Sequence, residues 1–535
     1  LFMAIDIEFI HLKDDLHNQY VTLRSELSEC KAVRTINLDL VPKGDRGYLQ
    51  GEVSKQIAIR FEYFLYRKAE QLFQNNSLTV KESVNNRSLS SDLIQPKEWQ
   101  NKDDIIENTG LDKLSAPINQ TLDEKQYQLE VKLKEAGTHI FSGDNKYVEV
   151  IPGKSELKWT IPNSRWQQTV DNPPYNQIQH KGIVELMLFV DEKTNYLNAF
   201  THIATTKQKS SVDKEDLVAC ILANGTNYGL YKMANISDRS MGKLRSVNDS
   251  YIRYETLKES NDQISNAIAI LPIFAYYHID DNQLFSGIDG QKFECRINTF
   301  KARYSSKYFA KGKGVSALTL VSNHVPVNTH VIGANEYEGH FAFDLLYNNT
   351  SEIQPNTLST DNHGTNNVNF AILYFFCYTF APRYAKMKRV FFDLFEVTEE
   401  EGGRIQLKKD VNYKLVAEEW ENIQHILCSL SQKTTTQSTI IRKLSNGKSR
   451  TLSALHEYDR LIKAIYVLEY VDSSTLRHYV QQALNRGEAY HQLKRAITSV
   501  NGNRFRGGND YQVSQWNDCA RLISNCIIYY NFPLF

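Results

Sequence analysis

The sequence is notable first for what it lacks. Its 62 Lys and Arg balance 62 Asp and Glu, so the formal net charge is zero. No excess of one sign announces a nucleic-acid partner across the whole surface, although a local basic patch can still hold phosphates. Its seven cysteines (Cys30, Cys220, Cys295, Cys377, Cys428, Cys519 and Cys526) are scattered, with no C-x-x-C pair. That argues against a zinc site or a disulfide framework and fits reduced thiols in the cytoplasm. No signal peptide is visible in the sequence, and the longest apolar run, Phe370 to Pro382, is too short to span a bilayer. No G-x-x-x-x-G-K-[ST] loop occurs, and the Gly312-Lys313-Gly314 run is too short to cradle phosphates, so nucleotide use is not indicated. Internal repeats and long low-complexity runs are also missing. The chain opens at Leu1 without an initiator Met and stops mid-pattern at NCIIYYNFPLF, which leads us to expect a piece of something longer.

What remains is an ordinary globular composition, 41% hydrophobic and 23% charged, in 535 residues that should form more than one domain. Residues 1 to about 75 are expected to be helical, since VSKQIAIRFEYFLYRKAEQLF repeats apolar residues at three- and four-residue steps. Residues 76–116 are polar, with Pro96 and Pro117 as breakers, and suit a linker with short helical pieces. TLDEKQYQLEVKLKEAGTHI suggests a charged helix with Thr121 and Glu124 at capping-box spacing. KYVEVIPGKSELKWTIP alternates like a hairpin.

From about residue 182 the pattern is helical to about 270 and then changes. A strand around Asp289, strands in GVSALTLVSNHV and NTHVIGA, a helix in EGHFAFDLLYNN, a short strand in NTLSTD and a buried helix in NVNFAILYFFCYTFAP follow in order. This order fits a ribonuclease-H-like core in a mixed α/β chain. Residues 383 to about 470 look mostly helical, and a further helix starts near Ser473. The expected regions are a mainly helical DNA-binding or linker part (1–165), a helical approach (166–278), the first part of the core (279–382), a helical insertion (383–472) and the end of the core (473–535).

Three acids stand out within this order. Asp289 lies in SGIDGQKF and Asp361 in TLSTDNHGTN, both at strand positions; Glu488 lies on the later helix, in ALNRGEAYHQLKR. Hard carboxylate oxygens from such positions can hold two Mg²⁺ ions roughly 4 Å apart, an arrangement that stabilises both attacking and leaving oxygens in phosphodiester chemistry. Gly290, directly after Asp289, leaves room for a substrate. Gln492 and Arg495 are expected on the face of Glu488. Taken singly, each acid is more often a solvated surface charge or a turn residue, and Asp280 and Asp281 compete with Asp289.

The ordered motifs around these acids resemble the catalytic core of the Tn-three family of replicative transposases. The matching pieces run from Ser286 to Arg383 and include SGIDGQKFECRINTF and TLSTDNHGTN. FTHIATT and ANGTNYGLYKMANIS lie upstream, and TTTQSTIIRKLS, ALNRGEAYHQLKRAI and LISNCIIYYN downstream. The similarity covers roughly residues 55 to 535. It implies a DDE transposase with a ribonuclease-H-like fold, its metal-binding carboxylates falling on Asp289, Asp361 and Glu488. It also implies a largely helical insertion between the last two. The motifs depart mildly from the family's, with GIDGQ for SDGQ, LNRGE for LNKGE, and Asn362 where Thr is usual. Family members are far longer, and their DNA-binding region would precede Leu1.

The resemblance further implies DNA partners (terminal inverted repeats and target), a homodimer on paired ends, two Mg²⁺ or Mn²⁺ ions, and a bacterial cytoplasmic, nucleoid-associated setting. The expected reaction is strand hydrolysis at a transposon end, followed by attack of the freed 3′-hydroxyl on target DNA to give a cointegrate. A metal-dependent nuclease without joining, or an inactive DNA-binding fragment, are the alternatives.

Candidate DNA contacts are Lys301, Arg303, Lys307, Lys311 and Lys313, interleaved with Tyr304, Tyr308 and Phe309. The cations would neutralise phosphates and the rings would stack on bases; a solvated loop is the plainer alternative. Arg383 and Arg495 join this set. IRKLSNGKSR is as well explained as a surface face. His363 is expected to hydrogen-bond in its turn, and His491 to be structural or DNA-facing.

Overall fold

The computed structural model of the protein describes residues 7–9, 22, 25–26, 36–51, 55–74, 78–80, 83, 86–151, 157–160, 180–204, 212–398, 404–445, 449–502 and 504–532. Much of the amino-terminal stretch expected to be helical, and the middle of IRKLSNGKSR, lie outside these residues. The chain divides into two units: residues 1–123 with 411–458, and residues 124–410 with 459–535.

In the first unit, helix Lys55–Gln74 buries Phe61, Leu65, Ala69 and Leu72, spaced to fall on one face, against Leu40, Val41, Leu49 and Leu78. Among the described residues just before it, 36–51 do not form the α-helix expected. Leu38–Leu40 and Lys43–Leu49 are 3₁₀ turns, and Ile7–Phe9 pairs antiparallel with Leu78–Val80. Pro42 and two glycines in KGDRGYL explain the tight turns, since neither residue favours a continuous α-helix. The polar stretch does contain short helices, at Pro96–Trp99, Lys102–Asn108 and Asp112–Ser115. Lys443, only 2% exposed, places its ammonium on the Asp92 carboxylate and, at 2.7 Å, on the Arg87 carbonyl.

In the second unit, the helix read from TLDEKQYQLEV spans Ile118–Phe141, beginning in the first unit's residues and starting right after Pro117. Thr121 and Glu124 therefore lie inside the helix and form no capping box. Proline stops the helix from starting earlier and tolerates a start just after it. The expected hairpin pairs Val148–Val150 with Leu157–Trp159.

The core of this unit is a mixed sheet. Strand β1 (Phe285–Cys295) runs antiparallel to β2 (Lys313–Ser322), and β2 to β3 (Val325–Gly333). Helix α1 (Ala342–Tyr347) leads to β4 (Thr357–Thr360), parallel to β1. Helix α2 (Asn369–Phe375) then leads to β5 (Thr379–Phe380), parallel to β4. The sheet order β3-β2-β1-β4-β5, with the first three strands antiparallel and the last two parallel, is the ribonuclease-H-like arrangement expected from the sequence.

One expectation needs correction here. NVNFAILYFFCYTFAP is not a single helix: the helix ends at Phe375, Cys377 adopts a left-handed backbone (φ 62°), and Thr379–Phe380 join the sheet. A short buried strand and a buried helix read alike in an all-apolar run. Likewise, the stretch after β5 holds helices Met387–Leu394, Tyr413–Glu418, Trp420–Ser431, Gln437–Leu444 and Arg450–Asp472, but also a hairpin of Phe395–Thr398 with Arg404–Leu407.

Helix α3 (Ser474–Thr498) crosses β1. Ser473 caps it by accepting the Leu476 N–H at 3.1 Å. Two-residue strand β6 (Arg504–Phe505) returns to pair with the far end of β1, and helix α4 (Asp510–Asn531) packs behind β3 and α3. Three features seat α3. Gly287 lets its backbone approach β1 at Ala483. Arg486 donates to the Asn323 side chain (2.7 Å) and the Tyr277 carbonyl (2.6 Å). The fully buried Lys494 meets the Asn517 side chain and the rings of Phe293 and Trp516.

Candidate active site

Strand β1 has β2 along one edge. Its other edge pairs with β4 only over Phe285–Ile288 and with β6 only over Glu294–Cys295. Residues 289–293 are left as an open edge between two parallel partners, and a cleft of about 450 Å³ lies against them. Alternation along the strand turns Gly287, Asp289 and Gln291 toward α3, where the Gln291 amide donates to the His491 carbonyl at 3.3 Å. Gly290 and Lys292 face the other way.

Ile288 sits opposite Thr360 in the parallel register, so Asp289 and Asp361 are the next residues on neighbouring strands. Adjacent strands lie about 4.8 Å apart, which places the two acids side by side where β4 ends. Glu488 enters from α3. Asp289, Asp361 and Glu488 all line the one cleft, together with Lys292, Tyr308, Arg383, Gln481, Asn485, His491 and Arg495. Gln492 is not among the lining residues, whereas His491 is.

The electrostatics favour an ionised Asp289. Burial alone would raise its pKa. The His491 imidazole (Nδ1 to Oδ2, 3.4 Å), the Gly290 N–H (2.8 Å) and the charge of Lys292 outweigh that and hold the carboxyl below its ordinary range. His491 Nε2 is buried with no hydrogen-bond partner among the described residues. Arg383 is anchored beside Asp361 because its backbone N–H bonds the Thr360 carbonyl at 2.8 Å. Its guanidinium donates to Gln481, whose amide donates to Asn485 at 2.8 Å, one turn before Glu488.

The donor set is carboxylate oxygen without thiolate, which suits a hard divalent cation. Among the described residues, however, no three Asp, Glu, His or Cys side chains stand close enough to cage a metal ion. The acids share the cleft without forming a ready-made cage, so a cation held by all three would require the carboxylates to draw together.

The basic segment after β1 is an extension of the sheet: Arg303–Tyr304 pair with Lys313–Gly314, with a turn of helix at Ser306–Phe309 between them. Lys307, Lys311 and Lys313 are exposed. Tyr308, then Asp361 and Glu338, raise the Lys307 pKa. Arg303 folds back onto the Phe300 carbonyl. Lys301 is half-buried, its ammonium on the Val331 carbonyl at 3.0 Å, and burial lowers its pKa. The His363 side chain lies outside the described residues.

Sequence reasoning missed Lys292, Glu338, Gln481 and Asn485. The last two share a helix face with Glu488 at spacings of seven and three, a signal that was there to be read. Lys292 projects from the opposite face of the strand, and Glu338 reaches the site from a turn, so neither has a local signature.

The strand order and the acid-lined open edge define a ribonuclease-H-like domain with its cleft where the parallel strands end. The sequence pattern of the family described as the Tn3 transposase DDE domain matches residues 185–534, well over half of the chain, and the chain belongs to that family. It is 24% identical over 463 residues to the transposase for transposon gamma-delta of Escherichia coli (strain K12), covering 82% of this chain and 44% of that protein. It is 25% identical over 456 residues to the transposase for Tn2501 of Escherichia coli, at the same coverage. With the transposase for Tn501 of Pseudomonas aeruginosa it shares 26% identity over 394 residues, 71% of this chain and 38% of that protein. The chain spans less than half the length of these curated relatives. No described helix is long and apolar enough to cross a membrane.

Proposed function

We propose that this chain carries the catalytic centre of a DNA transposase. It hydrolyses one strand at a transposon end and transfers the freed 3′-hydroxyl to target DNA, in the replicative, cointegrate-forming mode. The observation that supports this most strongly is that Asp289 and Asp361 directly follow the paired Ile288 and Thr360 of two parallel strands, with Glu488 lining the same cleft.

Asp289, Asp361 and Glu488 would hold divalent cations, Mg²⁺ or Mn²⁺. When bound, such ions neutralise charge on the phosphate and make an attacking water more acidic. His491 and the Gly290 N–H keep Asp289 ionised and aimed. Arg383 and Arg495 inside the cleft, and Lys307, Lys311 and Lys313 beside it, neutralise flanking phosphates. Pairing of two ends would bring two copies together on DNA.

The test uses a labelled, pre-cut end with plasmid target in Mg²⁺. Branched joined product from the wild-type chain, absent without the metal, supports the proposal. Cleavage of intact ends with no joining of pre-cut ones reassigns the chain as a nuclease.

A further inference from the structure

Lys292 and Glu338 form an ion pair at the edge of the cleft that the reaction outlined above does not use. Their side chains are 14% and 12% exposed, so both charges are largely removed from water. The Ser316 hydroxyl lies between them, 2.8 Å from the Lys292 ammonium and 3.0 Å from the Glu338 carboxylate. The Tyr308 ring stands 5.5 Å from the ammonium. Lys292 belongs to the open edge of β1, three residues from Asp289, and lines the cleft. Glu338 comes from the turn after β3 and lies against Gly290, where its carboxylate fills the space a Cβ would take.

That turn is strapped to the loop following Asp361. The Asn366 and Asn369 side chains donate to the Gly339 carbonyl at 2.9 and 3.0 Å, and the Tyr337 hydroxyl bonds the Thr365 carbonyl. Glu338 is thus an anion fixed against Gly290, on the stretch of β1 that borders the cleft.

We propose that Lys292 is a phosphate-binding residue of the cleft and that Glu338 is its resident counter-ion, which DNA phosphate must displace. The inference rests on the cleft being a DNA site. A phosphate can replace a carboxylate on an ammonium at little cost in charge, since one anion succeeds another. The displaced Glu338 is then left largely desolvated and facing the phosphate. That opposition makes DNA entry less favourable and restrains the cleft from holding arbitrary DNA.

Direct binding of a fluorescein-labelled duplex in EDTA tests this without any metal-dependent step, and so separately from catalysis. Glu338→Gln keeps an oxygen for Ser316 and Lys292 but removes the charge, and it should bind several-fold tighter than wild type. Lys292→Met should weaken binding by roughly tenfold, as expected for loss of a charge-assisted hydrogen bond. It should also lower the slope of log affinity against log salt by about 0.9, one phosphate contact. The double variant should bind more tightly than Lys292→Met alone, because it also removes the anion that faces the phosphate. A pair that merely braces the fold predicts otherwise: equal or weaker binding by Glu338→Gln, or an unchanged salt slope in Lys292→Met, overturns the proposal. So does the absence of measurable binding by both wild type and Glu338→Gln.

Discussion

Gly287 is the point at which the strand carrying Asp289 and the helix carrying Glu488 touch backbone to backbone. A Cβ on residue 287 would stand 2.9 Å from the Ala483 carbonyl oxygen, 3.4 Å from its carbon and 3.8 Å from Leu484 Cα. These are helix backbone atoms, so no side-chain rotation relieves the clash, and α3 must lift by a few tenths of an ångström. Lys494 and Arg486 hold the helix elsewhere, so the shift strains those contacts instead of dissipating. Overpacking of this kind costs about 1–3 kcal/mol. Misplacement of catalytic groups by about 1 Å costs on the order of 10²-fold in rate, so a smaller shift at Glu488 should cost roughly tenfold. Gly287→Ala should therefore lower stability in urea unfolding and slow end joining. Gly487→Ala, next to Glu488 but with no atom within 4 Å of its would-be Cβ, should instead stabilise the helix by about 0.5–1 kcal/mol. A Gly287→Ala protein with wild-type stability and joining rate would refute this account of how α3 is seated.

Burial pushes the Asp459 carboxyl up to about 7, even though it accepts the Phe370 and Ala371 N–H groups. Between its ordinary value of 3.8 and about 7 the folded chain keeps a proton that the unfolded chain has released. Its stabilising contribution is full below pH 3.8 and is lost as pH rises through 7, roughly 4 kcal/mol in all. Asp459→Asn should flatten that part of the stability–pH curve, and an unchanged curve would show that the proton is not held. In the first unit, Asp92→Ala leaves the Lys443 ammonium buried without its carboxylate and should cost about 3–5 kcal/mol in urea unfolding. A loss under about 1 kcal/mol would show that water reaches the lysine.

β2 and β3 were legible as largely apolar runs bounded by turns, and the order of strands and helices specified the ribonuclease-H-like arrangement. The start of α3 near Ser473 was also legible, and the structure shows Ser473 capping it. The two-residue β5 was hidden inside an aromatic run whose helix and strand portions are equally apolar. Pro117, not the Thr121–Glu124 spacing, decided where the long helix begins. At the site, strand register and helix face bring Asp289, Asp361, Glu488, Arg383 and Arg495 around one cleft. Lys301 shows the limit of reading charge from sequence: Phe300 and Arg303 beside it are exposed, yet its ammonium turns inward to a backbone carbonyl. Glu338 could be found only from the fold, because it is far from Lys292 in sequence and meets it across a turn.

Asp289, Asp361 and Glu488 are proposed to act as one catalytic centre. The most direct measurement is Mg²⁺-dependent single-turnover cleavage of a transposon end by Asp289→Asn, Asp361→Asn and Glu488→Gln, beside Asp280→Asn and Asp281→Asn as neighbouring-acid controls. The three cleft variants should lose cleavage while remaining folded, and the two controls should cleave like wild type. Cleavage at the wild-type rate by any of the three, with metal dependence intact, would contradict the account.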